Sequence, residues 1–112
     1  MTREFVYTAK FDGKWRGLGL NDDDLGLLED FVLRNPKAGR VMEGTGGIRK
    51  LRWALPGKGK SGGARVLYVD FIAAEKVCMF DLFLKDDKEN LTHAERRALK
   101  QIVKAIGKEF AK

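Results

Sequence analysis

The chain has 112 residues, 44% of them hydrophobic and 34% charged, with a formal net charge of +6; that allows one modest core and excludes a disordered chain. One cysteine, Cys78, excludes a disulfide framework, and with His93 as the one histidine no zinc site can be assembled. The opening Met-Thr-Arg-Glu-Phe lacks the apolar run of a secretory leader, and no stretch nears the roughly 18 apolar residues of a membrane helix. The expectation is therefore a single cytoplasmic domain over residues 1–112, with no membrane partner, metal or cofactor.

Phe5 to Phe11 alternate apolar and polar residues and predict a first strand, with Phe5, Tyr7 and Ala9 on one side. Asn21 is placed to cap a helix, with Asp22, Asp23 and Asp24 in its first turn, where negative charge is favourable. Leu25, Leu28, Phe31 and Val32 follow at helical spacing, and Asn35-Pro36 ends the run. Three further apolar runs read as strands: Ile48 to Leu55, Arg65 to Phe71, and Val77 to Leu84. The connection Ala73-Ala74-Glu75-Lys76 is short enough to make the last two an antiparallel hairpin. Thr92-His93-Ala94-Glu95 is a capping box, and Ala98, Leu99, Ile102, Val103, Ile106 and Phe110 form the apolar face of the helix behind it. The order strand, helix, three strands, helix predicts an α+β fold: a small antiparallel β-sheet with helices packed on one face. The other face would be free, with the cationic run Ile48 to Leu55 and its glycine turn on it or at its rim.

Charge is unevenly placed. Residues 1–36 carry five basic and seven acidic side chains, residues 37–65 eight and one, and residues 66–112 nine and eight. The middle segment thus holds the whole cationic excess, and such a block draws a polyanion through counterion release and long-range steering. A solubilising surface mixes its signs; this segment hardly does. We read Gly39 to Arg65 as a nucleic-acid-binding surface.

Its glycines do not make a nucleotide loop. Gly59-Lys60-Ser61 ends like a Walker A motif, but Ala54 stands where the first glycine belongs. Gly57 to Gly62 matches G-x-G-x-x-G, yet the run that follows is a strand where that motif opens a helix. Ser61 and His93 have no nucleophile-elbow sequence around them.

The run Gly44-Thr45-Gly46-Gly47-Ile48-Arg49-Lys50-Leu51-Arg52-Trp53-Ala54, then Gly57-Lys58-Gly59-Lys60-Ser61-Gly62-Gly63-Ala64-Arg65-Val66-Leu67-Tyr68, closely resembles the HigB-like branch of the RelE/ParE toxin superfamily. The similarity continues through Lys85, Glu89-Asn90-Leu91-Thr92 and Glu95-Arg96, and reaches back to Asn35-Pro36, so it covers about two thirds of the chain. The resemblance implies a RelE-like toxin fold and a ribosome-dependent mRNA endoribonuclease (an mRNA interferase) that cuts the message in the ribosomal A site. It also implies a cognate helix-turn-helix antitoxin of the HigA kind. Two rival readings are a ParE-like inhibitor of DNA gyrase and a non-catalytic RNA-binding regulator.

Metal-independent RNA cleavage proceeds by attack of the ribose 2′-hydroxyl on the adjacent phosphate. The site must take that proton, stabilise the phosphorane and protonate the leaving oxygen. Lys58, Lys60, Arg65 and Lys85 are the candidate catalytic groups. Arg65 suits phosphorane stabilisation, because a guanidinium stays charged and grips two oxygens; a lysine crowded by cations can act as base. The resemblance supports Arg65 and Lys85 most directly. Arg49, Lys50, Arg52, Lys58 and Lys60 are candidate RNA or ribosome contacts, and Phe83 can stack on a base. Many relatives carry a tyrosine where this chain has Phe83, so proton transfer from that position is absent here. Trp53 is expected in packing, His93 exposed and idle, and Cys78 buried in a strand.

Overall fold

The computed structural model describes residues 2–56, 63–84 and 91–111. In chain order they form β1 (Glu4–Tyr7), α1 (Ala9–Gly17), α2 (Asp22–Arg34), β2 (Arg40–Val41), β3 (Arg49–Trp53), β4 (Ala64–Phe71), a 3₁₀ turn (Ile72–Ala74), β5 (Lys76–Leu84) and α3 (His93–Phe110). The two capped helices begin where their sequences predict. Asn21 and Asp24 exchange side-chain and backbone hydrogen bonds at the start of α2, and Thr92 and Glu95 do the same at α3, satisfying amides that a helix leaves open.

The first expected strand is cut short. β1 ends at Tyr7, and Thr8 caps a helix that the alternating pattern concealed. The Thr8 hydroxyl accepts from the Phe11 amide at 3.1 Å and donates to the Phe80 carbonyl at 2.6 Å, tying the helix start to β5. Phe11 and Trp15, one helical turn apart, are the buried residues of α1.

The sheet order is β1-β5-β4-β3-β2. All neighbours are antiparallel except β1 and β5, which run parallel with Glu4 opposite Lys76 and Tyr7 opposite Met79. The α+β architecture is as expected, with a mixed sheet in place of a wholly antiparallel one. Arg3, just before β1, grips Asp70 of β4 at 2.8 Å with both side chains nearly buried, and Lys14 of α1 reaches Asp81 of β5 at 2.9 Å.

Helices on one face alone is a second expectation that fails. Ala64, Val66 and Tyr68 of β4 meet Phe11 and Trp15 of α1 and Leu28 and Val32 of α2 in one core. Leu67 and Val69, which alternate with them and so point the other way, meet Val103 of α3 together with Met42, Ile48 and Phe80. β4 is consequently buried on both sides over Ala64–Val69, which explains an apolar run that does not alternate.

Candidate nucleic-acid interface

The pairing of β3 with β4 decides where the cations go. Arg52 lies opposite Arg65, Lys50 opposite Leu67, and Arg40 of β2 opposite Lys50. Strand alternation puts Arg40, Lys50, Arg52 and Arg65 on the face that α3 shares, and Phe83, opposite Arg65 in β5, joins them. Ala38, Arg40, Lys50, Leu51, Arg52 and Arg65 line a concavity of about 390 Å³. Among the described residues no acidic side chain and no part of α3 lines it. Arg65 is 7% exposed, a buried cation in a wall of cations. Arg52 and Arg65 are like charges directly opposite each other in the sheet, a placement that costs stability.

Arg40 reaches this face because the preceding loop is clamped from the opposite one. The buried Tyr68 hydroxyl donates to the Pro36 carbonyl at 2.9 Å and accepts from the Gly39 amide at 3.1 Å. Burial raises the pKa of that hydroxyl, keeping it a neutral donor. Arg49 alternates onto the same side as Tyr68, and its guanidinium donates to the Gly39 carbonyl at 2.8 Å. Gly39 has no room for more: a Cβ there would come within 3.0 Å of both the Arg49 and Tyr68 side chains.

A larger concavity of about 820 Å³ adjoins the first. Arg40 and Lys50 line both, and Met42, Glu43, Gly44, Leu91, His93, Arg96 and Arg97 are among those completing the second. Glu43 and Gly44 of its lining begin a turn that runs to Gly47, whose glycines serve the backbone. Gly44, Gly46 and Gly47 have φ of 79°, 82° and 112°, and a Cβ on Gly46 would touch Val103 of α3. Thr45 is wholly buried, donating to the Met42 carbonyl at 2.6 Å and accepting from the Ile48 amide at 3.2 Å. Arg96 closes the turn onto α3 by donating to the Glu43 carbonyl at 2.6 Å.

Of the residues named from sequence, Lys50, Arg52, Arg65 and Phe83 therefore share one face. Arg49 is on the other face, engaged with loop carbonyls. Trp53 is half-buried against Phe31, ring centroids 5.5 Å apart, as expected of a packing residue. Lys58, Lys60 and Lys85 lie outside the described residues. His93 is exposed, but it lines the larger concavity with Arg40, Arg96 and Arg97, a grouping that sequence reasoning missed. The adjacent Arg96-Arg97 pair one turn into α3 was visible; its approach to Arg40 was not. Cys78 is buried, and burial pushes its thiol up to about 11. Among the described residues no three His, Cys, Asp or Glu side chains gather as metal ligands, and no helix is long and apolar enough to cross a membrane.

The family model described as the RelE toxin of the RelE/RelB toxin–antitoxin system matches residues 8–111, from the cap of α1 to the end of α3.

Proposed function

Since the chain belongs to the RelE toxin family, we propose that it is the mRNA-cleaving toxin of a toxin–antitoxin pair, acting on messages held in the ribosomal A site. The observation that carries this reading is Arg65, buried at 7% exposure among Arg40, Lys50 and Arg52 in a concavity lined, among the described residues, by no carboxylate. In the proposed reaction the ribose 2′-oxygen bonds to phosphorus and the bond to the 5′-oxygen breaks, leaving a cyclic phosphate and a 5′-hydroxyl. Arg65 holds the phosphorane oxygens through two N–H donors, and Lys50 and Arg52 add positive charge around them. Lys58, Lys60 and Lys85 are the proposed groups for taking the 2′-proton and protonating the leaving oxygen. Phe83, beside Arg65 in the sheet, presents a ring for a base and no exchangeable proton. Acid–base help contributes about 10² to 10⁴-fold, so the ribosome's positioning of the message supplies much of the rate. We place the chain in the HigB-like branch, with a helix-turn-helix antitoxin as its neutralising partner and the cytoplasm as its location.

The test is to add the purified protein to translating ribosomes and map mRNA 5′ ends. Cuts phased with codons that appear with ribosomes and vanish without them are the expected result. Intact mRNA accompanied by inhibited DNA supercoiling would replace this reading with gyrase inhibition.

A further inference from the structure

The two concavities share Arg40 and Lys50, which sets them side by side on one face. Three pairs of cations follow one another along it: Arg52 with Arg65, then Arg40 with Lys50, then Arg96 with Arg97. Against them, Glu43 is the carboxylate among the described lining residues. The amide end of α3 contributes little net charge here, because the Glu95 carboxylate of the capping box offsets it. Side chains supply it instead. The Arg96 guanidinium is held by the Glu43 carbonyl before any ligand arrives, and the clamped loop fixes the backbone that leads into Arg40.

We infer that the part of the groove at the start of α3 is a phosphodiester-binding subsite, in which Arg40 and Arg97, with Lys50 and Arg96, hold the RNA backbone beside the phosphate at Arg65. The inference rests on the nuclease reading and extends it to a second place on the molecule. A nucleic-acid strand carries one charge per nucleotide, and the cations that continue from Arg65 past Arg40 and Lys50 to Arg96 and Arg97 offer it charge beyond the phosphate at Arg65. An acidic protein segment is the alternative occupant, and the test separates the two.

The test compares the wild type with Arg40→Gln/Arg97→Gln in binding a fluorescent single-stranded RNA across a salt series, alongside mRNA cleavage on ribosomes. Each phosphate that the protein neutralises adds about 0.7 to the slope of log affinity against log salt, so the double variant should be about 1.4 shallower. Arg40→Lys/Arg97→Lys, which keeps both charges, should keep the wild-type slope. Lys104→Gln/Lys108→Gln removes the same charge from the far part of α3 and should also leave the slope unchanged. A wild-type slope in the Arg40→Gln/Arg97→Gln protein, with its melting temperature intact, overturns the subsite. Loss of affinity for a polyglutamate peptide with an unchanged RNA slope overturns it in favour of an acidic protein partner. A fall in slope together with a wild type that cuts nothing on ribosomes supports the subsite and counts against the nuclease reading.

Discussion

The two faces of one sheet are built from the same strands and reach different ends. On one, α1 and α2 cover Val66, Tyr68, Val77 and Met79 with Phe11, Trp15, Leu28 and Val32, and the result is a dry core. On the other, α3 covers Leu67, Val69 and Phe80, while Arg40, Lys50, Arg52 and Arg65 line an open concavity. β4 contributes to both faces by alternation alone: Val66 is wholly buried in one core, and its neighbour Arg65 lies under the cationic groove. Stability and charge are thus separated by a single strand's thickness. The closed face fixes the register that gathers the cations.

That separation predicts different losses from changes on the two sides. Leu28, fully buried on the closed face, should cost about 2–5 kcal/mol on truncation to alanine, because its apolar packing disappears and the cavity only partly collapses. Thermal unfolding should move down by roughly 10–25 °C. The salt slope of RNA binding, measured well below that transition, should not move; a changed slope would show that the faces are not independent.

Arg65→Lys is the complementary change on the open face. It keeps the charge but loses the planar fork that holds two phosphate oxygens. Single-turnover cleavage on programmed ribosomes should fall by about 10²- to 10³-fold, the range for removing one preorganised donor, with melting shifted by a few degrees at most. Wild-type cleavage in this variant would remove Arg65 from the chemistry.

The covered half of the second face can be checked separately through Cys78, which pairs with Val69 under α3. Burial raises its thiol from the ordinary 9.0 to about 11. Above pH 9 the unfolded chain releases this proton while the folded one retains it, so unfolding is increasingly favoured as pH rises. The stability that the protonated thiol represents is complete below pH 9 and is lost on the way to 11, on the order of 2 kcal/mol. Urea unfolding at pH 8 and pH 10.5 should show this loss in the wild type and a smaller one in Cys78→Ala. Equal losses would mean that the thiol is not shielded in the fold.

Much of this arrangement was legible in the sequence, and the parts that were not share a cause. α2 and α3 declare themselves through side chains within four residues of one another, Asn21 with Asp24 and Thr92 with Glu95. The cationic excess of residues 37–65 also needs no fold to be seen. α1 was hidden because Phe5, Tyr7, Ala9 and Phe11 fit a period of two, while its helical signature is one pair, Phe11 and Trp15, in a helix that Gly13 and Gly17 weaken. The parallel pairing of β1 with β5 joins Glu4 to Lys76 and leaves no local sign. Arg40, Arg96 and Arg97 come together only through tertiary packing. Gly44, Gly46 and Gly47 stood out in composition, but their positive φ and the approach of Gly44 and Gly46 to α3 show a turn built for packing.

Tyr68 is where the two faces are coupled, and it yields the smallest and most specific expectation. Its ring is fully buried in the closed core, yet its hydroxyl holds the loop that delivers Arg40 to the open groove. Tyr68→Phe keeps the ring and deletes both hydrogen bonds, which should cost about 0.5–1.5 kcal/mol of stability for each. If the hydroxyl matters to the groove through Arg40, the variant should also weaken RNA binding, and that second loss should disappear when Arg40 is already glutamine. A double-mutant cycle measures this: the binding losses of Tyr68→Phe and Arg40→Gln should combine to less than their total. Strict additivity would mean that Arg49, gripping the Gly39 carbonyl at 2.8 Å, holds the loop without help. The closed face would then act on the groove through a guanidinium, with the phenol confined to the core.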